Sequence, residues 1–171
     1  MKRILVTGGL GYIGSHTCVA LIEAGYKPVV IDNLRNTRIE TKKAIEEITG
    51  ELLEFYELDA KNSNEVSFKI GPIDGTIHFA ALKSIGESIE KPMKYYTENL
   101  ESLLSIIEVS SKNGAKKFYL FLKCYSIWRN IRGMCYRRNS ARYTLKSIWT
   151  YQVPWRTNIK IWQIPFQHHF T

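Results

Sequence analysis

The stretch Arg3-Ile4-Leu5-Val6-Thr7-Gly8-Gly9-Leu10-Gly11-Tyr12-Ile13-Gly14 decides the fold. Arg3–Thr7 reads as a strand buried on both faces, because parallel strands covered by helices are apolar on either side. Glycines follow where the chain must turn sharply, approach a pyrophosphate closely and pack helix against strand, which assigns these roles to Gly8, Gly11 and Gly14. The next helix, over Tyr12–Ala24 and stopped by Gly25, points its free N–H groups and positive dipole end at that turn. A glycine pattern alone signals only a tight turn. Here a strand precedes it, a helix follows, and Asp32 ends the next strand 18 residues beyond Gly14. That context points to a dinucleotide site.

Asp32 carries the choice of dinucleotide. A carboxylate at the end of the second strand accepts hydrogen bonds from the adenosine ribose and repels a 2′-phosphate, favouring NAD over NADP. Arg35 lies close enough to soften the preference. The plainer role for Asp32 is to cap the turn that follows it.

Outward from this motif, strands and helices alternate. Val29–Asp32 is the second strand, with Pro28 at its start, where a missing N–H is tolerated. Thr41–Thr49 is a polar-faced helix ended by Gly50, and Leu53–Leu58 and Thr76–Ala80 are further strands. Leu100, Leu103, Leu104 and Ile107 form the apolar stripe of a long helix ending at Gly114. Lys116-Lys117-Phe118 opens a fifth strand. The pattern is α/β, a Rossmann-type doubly wound parallel sheet that stops after about five strands. Residues 1–118 form the NAD-binding domain, and residues 119–171 are an unpatterned tail with no domain assigned.

Composition divides at the same point. The net charge of +8 suggests a nucleic-acid or membrane partner until it is located along the chain. Residues 1–118 hold 15 Lys+Arg and 16 Asp+Glu, whereas residues 119–171 hold nine Lys+Arg and no acid. All four tryptophans (Trp128, Trp149, Trp155, Trp162) and only one glycine, Gly133, fall in the second part. No run of 18 apolar residues suggests a membrane span, and Ile4-Leu5-Val6 is too short for a secretory core. Cys18, Cys124 and Cys135 lack metal-ligand spacing, so no metal is expected and a reducing cytoplasm is the simplest setting. His168-His169 is read as accidental rather than as a metal site.

Three stretches together resemble the UDP-glucose 4-epimerases of the extended short-chain dehydrogenase/reductase family. They are Val6-Thr7-Gly8-Gly9 through Gly14-Ser15-His16-Thr17, Asp32-Asn33-Leu34-Arg35-Asn36, and His78-Phe79-Ala80-Ala81-Leu82-Lys83-Ser84-Ile85-Gly86-Glu87-Ser88. Lys91-Pro92 and Tyr95-Tyr96 through Asn99 continue in register, so the resemblance covers residues 1–118. It implies NAD contacts at Tyr12 and Ile13 and, around the adenosine, at Asp32, Asn33, Leu34, Arg35, Asn36 and Thr37. It implies further contacts at Asp59 and Ala60, at Phe79, Ala80, Ala81, Leu82 and Lys83 beside the nicotinamide half, and at Asn99. His78 is read as a satisfied core histidine. The implied activity is interconversion of UDP-glucose and UDP-galactose by transient oxidation at carbon 4, with a UDP-sugar as partner and a homodimer for the full-length form.

The same resemblance calls for a serine and a Tyr-x-x-x-Lys pair, in which the lysine lowers the tyrosine's pKa so that it acts as base. A strand end reading Ser-Ser-Ser-Ala-Thr-Val-Tyr-Gly should follow Phe118. The chain instead reads Tyr119-Leu120-Phe121-Leu122-Lys123-Cys124-Tyr125-Ser126-Ile127-Trp128. No catalytic residue is therefore assigned. Codon choices TTC-CTC-AAG-TGC-TAC-AGT-ATA-TGG for Phe121–Trp128, read one nucleotide later, give Ser-Ser-Ser-Ala-Thr-Val-Tyr-Gly. The same shift over Lys146-Ser147-Ile148-Trp149-Thr150-Tyr151-Gln152 permits Asn-Pro-Tyr-Gly-Arg-Thr-Lys, which contains the missing pair. The recovered tyrosines overlap Ile127 and Ile148, 21 codons apart.

An out-of-frame tail from about residue 119 explains the absent acids and the lost periodicity together. Interleaved Arg and aromatic residues also bind single-stranded nucleic acid, but that explains only the charge, so no nucleic-acid partner is expected. A sugar-nucleotide dehydratase and a non-catalytic protein that binds NAD, or nucleic acid through the basic tail, are the alternative functions. Resequencing the gene should reveal both epimerase motifs, or near variants, in the +1 frame, followed by further open reading. Stop codons in that frame before the second motif defeat the frameshift account.

Overall fold

The structure is a computed structural model, and it describes residues 1–122 and the strand at 160–165. The chain runs β1 (Arg3–Thr7), α1 (Tyr12–Glu23), β2 (Lys27–Asp32), α2 (Glu40–Thr49), β3 (Glu54–Glu57) and α3 (Ser63–Ile70). It continues through β4 (Gly75–His78), α4 (Ile85–Glu90), α5 (Pro92–Lys112), β5 (Lys117–Leu122) and β6 (Lys160–Pro165). The sheet order is β3-β2-β1-β4-β5-β6. All pairings from β3 to β5 are parallel. The five parallel strands expected from the sequence are therefore present, in a Rossmann-type doubly wound order. The chain adds strands outward from β1 on one side, then crosses to β4 and β5 on the other. That reversal opens a crevice at the carboxyl ends of β1 and β4, where such sheets bind ligands.

Strand periodicity of two, with helices over both faces, explains why the centres of β1 and β2 are apolar on either side. Leu5, Val29 and Ile31 face one layer, packing with Val66, Ile70, Ile106, Val109 and Phe118. Val6 and Val30 face the other, with Cys18, Ile45 and Leu53. Helices α3 and α5 cover the first face, and α1 and α2 the second. Burial pushes the Cys18 thiol up to about 12, so this free cysteine behaves as a small core hydrophobe.

Three features depart from the sequence reading. Helices α3 and α4 are short elements that its periodicity did not reveal. The apolar stripe on α5 is split: Leu103 and Ile107 pack on the core, while Leu100 and Leu104 remain more than half exposed. The buried face instead carries Ser102, Ser105, Ile106, Val109 and Ser110, whose small hydroxyl side chains let the helix approach the sheet. Ser110 Oγ lies 2.7 Å from Thr76 Oγ1 on β4 and donates to the Ile106 carbonyl. The third departure is in the tail, where β6 pairs antiparallel with β5, Phe118 opposite Ile164 and Leu120 opposite Trp162. The edge of β5 is thus paired by backbone rather than left open. Cys124, Cys135, Gly133, His168, His169 and the positions Ile127 and Ile148, which overlap the tyrosines of the +1 reading, lie outside the described residues.

His78 closes β4 at 3 % exposure, its Nδ1 2.7 Å from Thr7 Oγ1. Burial pushes its imidazole down to about 4, and the nearby Lys83 charge acts in the same direction. The neutral ring is the folded form. Below the ordinary value near 6.5 the unfolded chain takes up a proton that the folded chain refuses until about pH 4. Stability from this residue is complete above pH 6.5 and is lost as the pH falls toward 4. Urea denaturation at pH 7 and pH 4 should show the wild type losing on the order of 3 kcal/mol more than His78→Phe. Parallel losses in the two proteins contradict this role for His78.

Candidate functional site

At the crevice, β1 leaves the sheet into Gly8, whose φ of +65° lies in the left-handed region. A Cβ there would sit 2.9 Å from the Ala80 backbone nitrogen, so only glycine lets the two strand ends touch. At Gly14 a Cβ would collide with the Gly8 carbonyl and come within 2.8 Å of Gly9 Cα. Helix α1 therefore starts hard against the end of β1. Its Gly11 N-cap offers no side-chain hydrogen bond, and no acidic residue occupies its first turn. The orphan N–H groups and the positive dipole end are left for an anionic ligand.

Asp32 ends β2 at 6 % exposure. Its Oδ2 accepts from the Leu10 N–H at 3.2 Å, and its Oδ1 from the Leu34 N–H at 3.1 Å and the Thr37 hydroxyl at 2.7 Å. The plainer reading is thus realised: Asp32 ties the glycine turn to the loop after β2. Three of about four acceptor positions on a carboxylate are filled, which leaves capacity for a ribose hydroxyl. Leu34, held by this carboxylate, has φ +55°, the only positive value outside glycine among the described residues.

The other wall is the segment after β4. The Asn99 side chain on α5 braces it by a two-point contact, Oδ1 accepting from the Leu82 N–H at 2.7 Å and Nδ2 donating to the Leu82 carbonyl at 3.3 Å. Lys83 Nζ donates to the Phe79 carbonyl at 2.7 Å. Glu87 on α4 accepts from Lys94 Nζ at 2.7 Å and from the Tyr95 hydroxyl at 2.9 Å, fastening α4 to α5. These two donors, Lys94 first, hold the Glu87 carboxyl below its ordinary value. Ser102 is 7 % exposed, lines the cleft, and its hydroxyl has no hydrogen-bond partner among the described residues.

These walls enclose a cleft of about 420 Å³. Gly8, Gly11, Tyr12, Ile13 and Gly14 line one stretch of it, and Asp32, Asn33, Arg35, Asn36 and Thr37 the next. Asp59, Ala60, Phe79, Ala80, Ala81, Leu82, Lys83 and Asn99 complete the set brought together from the sequence. Leu34 is the exception. Half-buried, it packs against the core face containing Val30 and Ile45 instead of lining the cleft. The sequence reading missed Lys61, Glu87, Tyr95, Glu98 and Ser102, which also line the cleft. Tyr95, Glu98, Asn99 and Ser102 follow i, i+3, i+4, i+7, so helical spacing from Asn99 is the signal that locates three of them.

A Tyr-x-x-x-Lys spacing not recognised from the sequence is Tyr119 with Lys123. Tyr119 lies within β5. Lys123 is outside the described residues. Among the described residues no group of three His, Cys, Asp or Glu is placed to hold a metal, and no helix is long and apolar enough to cross a membrane.

Among curated proteins, a UDP-glucose 4-epimerase of Bacillus subtilis is 49% identical over 116 residues, covering 67% of this chain and 34% of its own length. A UDP-glucose 4-epimerase of Dictyostelium discoideum is 48% identical over 117 residues, with the same coverage. Among solved structures, the UDP-glucose 4-epimerase from Bifidobacterium longum in complex with NAD+ and UDP superposes with a TM-score of 0.65 at 38% identity. It covers 68% of this chain and 36% of its own. The Stenotrophomonas maltophila UDP-glucose-4-epimerase, with bound NAD and formylated UDP-arabinopyranose, gives a TM-score of 0.65 at 35% identity, covering 68% and 35%. The chain spans about a third of the length of these relatives. A family model described as the NAD dependent epimerase/dehydratase family matches residues 4–123, and this chain belongs to that family.

Proposed function

We propose that residues 1–118 are the NAD-binding half of an enzyme that interconverts UDP-glucose and UDP-galactose. The single observation carrying this reading is the convergence of the glycine turn, Asp32 and the Asn99-braced segment after β4 on one cleft. The uncapped start of α1 receives the pyrophosphate, and Asp32 accepts from the adenosine ribose. The segment from Phe79 to Lys83 flanks the nicotinamide half. Bound NAD supplies a reversible hydride acceptor for carbon 4 of the sugar. A reducing cytoplasm is the proposed setting, in keeping with the free, buried Cys18. For the full-length protein a homodimer through α5 is the proposed assembly. Its support is the outward stripe of Met93, Tyr96, Leu100 and Leu104, 73%, 74%, 56% and 58% exposed.

The tail is proposed to be translated out of frame. The family match stops at residue 123, close to where acids disappear from the chain, although the relatives are about three times as long as the matched segment. A polypeptide of these 171 residues then has the cofactor cleft and lacks the base that serves it.

Two measurements test these readings. In calorimetric titration the 171-residue chain should prefer NAD over NADP, and Asp32→Ala should weaken NAD binding by on the order of 1.5–3 kcal/mol. Identical titration curves for wild type and variant remove Asp32 from the ribose. The second measurement assays UDP-galactose conversion by the purified chain beside a version expressed from DNA with the frame restored. The 171-residue chain should be inactive, since a positioned base alone contributes about 10²–10⁴-fold. Turnover near that of the restored protein places a catalytic base within residues 1–118 and ends the tail argument.

A further inference from the structure

The adenosine end of the cleft carries an ion cluster that no part of the proposed chemistry uses. Glu98, on the cleft face of α5, places Oε2 3.0 Å from Lys61 Nζ and 3.8 Å from Arg35 Nη1. Arg35 belongs to the loop after β2 and Lys61 to the segment after β3, so one carboxylate on α5 draws in cations from two other elements. All three residues line the cleft together with Asp32. The hydrogen bond to Glu98 is the largest influence holding the Lys61 ammonium above its ordinary value, with Asp59 and Glu101 adding to it.

An arginine just beyond the ribose-binding acid is the usual means by which this type of site accepts a 2′-phosphate. Arg35 stands at that position, three residues past Asp32, and favours NADP if its charge is free to act. Its ion-pair partner is Glu98.

We propose that Glu98 determines cofactor choice in this cleft: by holding Arg35 and Lys61 across its adenosine end, it denies a 2′-phosphate the two cations that would bind it. This inference rests on the reading of the cleft as an NAD site. Glu98 is a positioning residue, acting through Arg35 first, because Lys61 keeps Asp59 and Glu101 nearby when Glu98 is neutralised. Asp32 supplies the repulsion of the 2′-phosphate and Glu98 withholds the attraction, so the two acids act in the same direction through different partners.

The experiment titrates NAD and NADP into the full 171-residue chain, the Glu98→Gln variant and the Arg35→Gln/Glu98→Gln double variant at low and at 0.5 M salt. Glu98→Gln should tighten NADP about five- to tenfold at low salt while NAD changes less than about twofold. The gain should shrink at high salt, where screening shortens to a few ångströms, and most of it should vanish in the double variant. A merely structural role for Glu98 weakens both dinucleotides together and leaves their ratio unchanged; that result overturns the proposal while leaving NAD binding intact. A gain that survives removal of Arg35 also overturns it. A wild-type chain that binds neither dinucleotide overturns the reading of the cleft, and this inference with it.

Discussion

The close approach of two strand ends is the constraint on which the rest of the site depends. Gly8, leaving β1, lies against the backbone of Ala80, leaving β4, and Gly14 lets α1 begin against the Gly8 carbonyl. Thr7 locks the same junction with its side chain: Oγ1 accepts from the Ala80 N–H at 3.2 Å and meets His78 Nδ1 at 2.7 Å. These contacts join two strands that are neighbours in the sheet but 71 residues apart in the chain. The crevice at the topological switch point is therefore narrow, and its floor is backbone. A ligand there meets the uncapped N–H groups at the start of α1 directly, which is what a pyrophosphate requires.

From that junction the site is built by polar residues that do two things at once. Asp32 organises the loops around it through three protein hydrogen bonds and still presents acceptor capacity to the cleft. Asn99 reproduces a backbone pairing with Leu82, which fixes a segment that has no strand partner of its own. Glu87 ties α4 to α5 through Lys94 and Tyr95. Each side chain is held before any ligand arrives, so the cleft's walls are ordered by the protein and little ordering remains to be done on binding. Ser102 is the contrast: its buried hydroxyl has no hydrogen-bond partner among the described residues, and the residue lines the same cleft.

How much of this was legible in the sequence follows from the range of each interaction. The β1 turn, Asp32 and the strands were readable because burial on both faces and glycine spacing leave local marks. Helices α3 and α4, of eight and six residues, are too short for a periodic apolar face to stand out. The stripe on α5 was misread for a different reason. Its sheet-facing side is built around Ser102, Ser105 and Ser110, and buried serine looks polar in sequence, while the outward Leu100 and Leu104 look like core. The pairing of Glu98 with Arg35 and Lys61 joins residues up to 63 positions apart, and no local pattern announces it.

The tail shows where sequence and fold part company. β6 completes the edge of β5 with backbone hydrogen bonds, in a segment whose composition matches nothing before it. Edge pairing asks little of a sequence. It needs an extended run without an interior proline, and Lys160–Gln163 with Ile164 supplies one rich in strand-favouring Ile and Trp. The catalytic pair that the resemblance calls for asks far more, because its tyrosine and lysine, four residues apart, are adjacent only on one helical face. A segment can therefore satisfy the sheet while failing the chemistry. The stretch at residues 118–122 meets the first demand: the strand runs on to Leu122 because Phe118, Leu120 and Phe121 bury as a strand should.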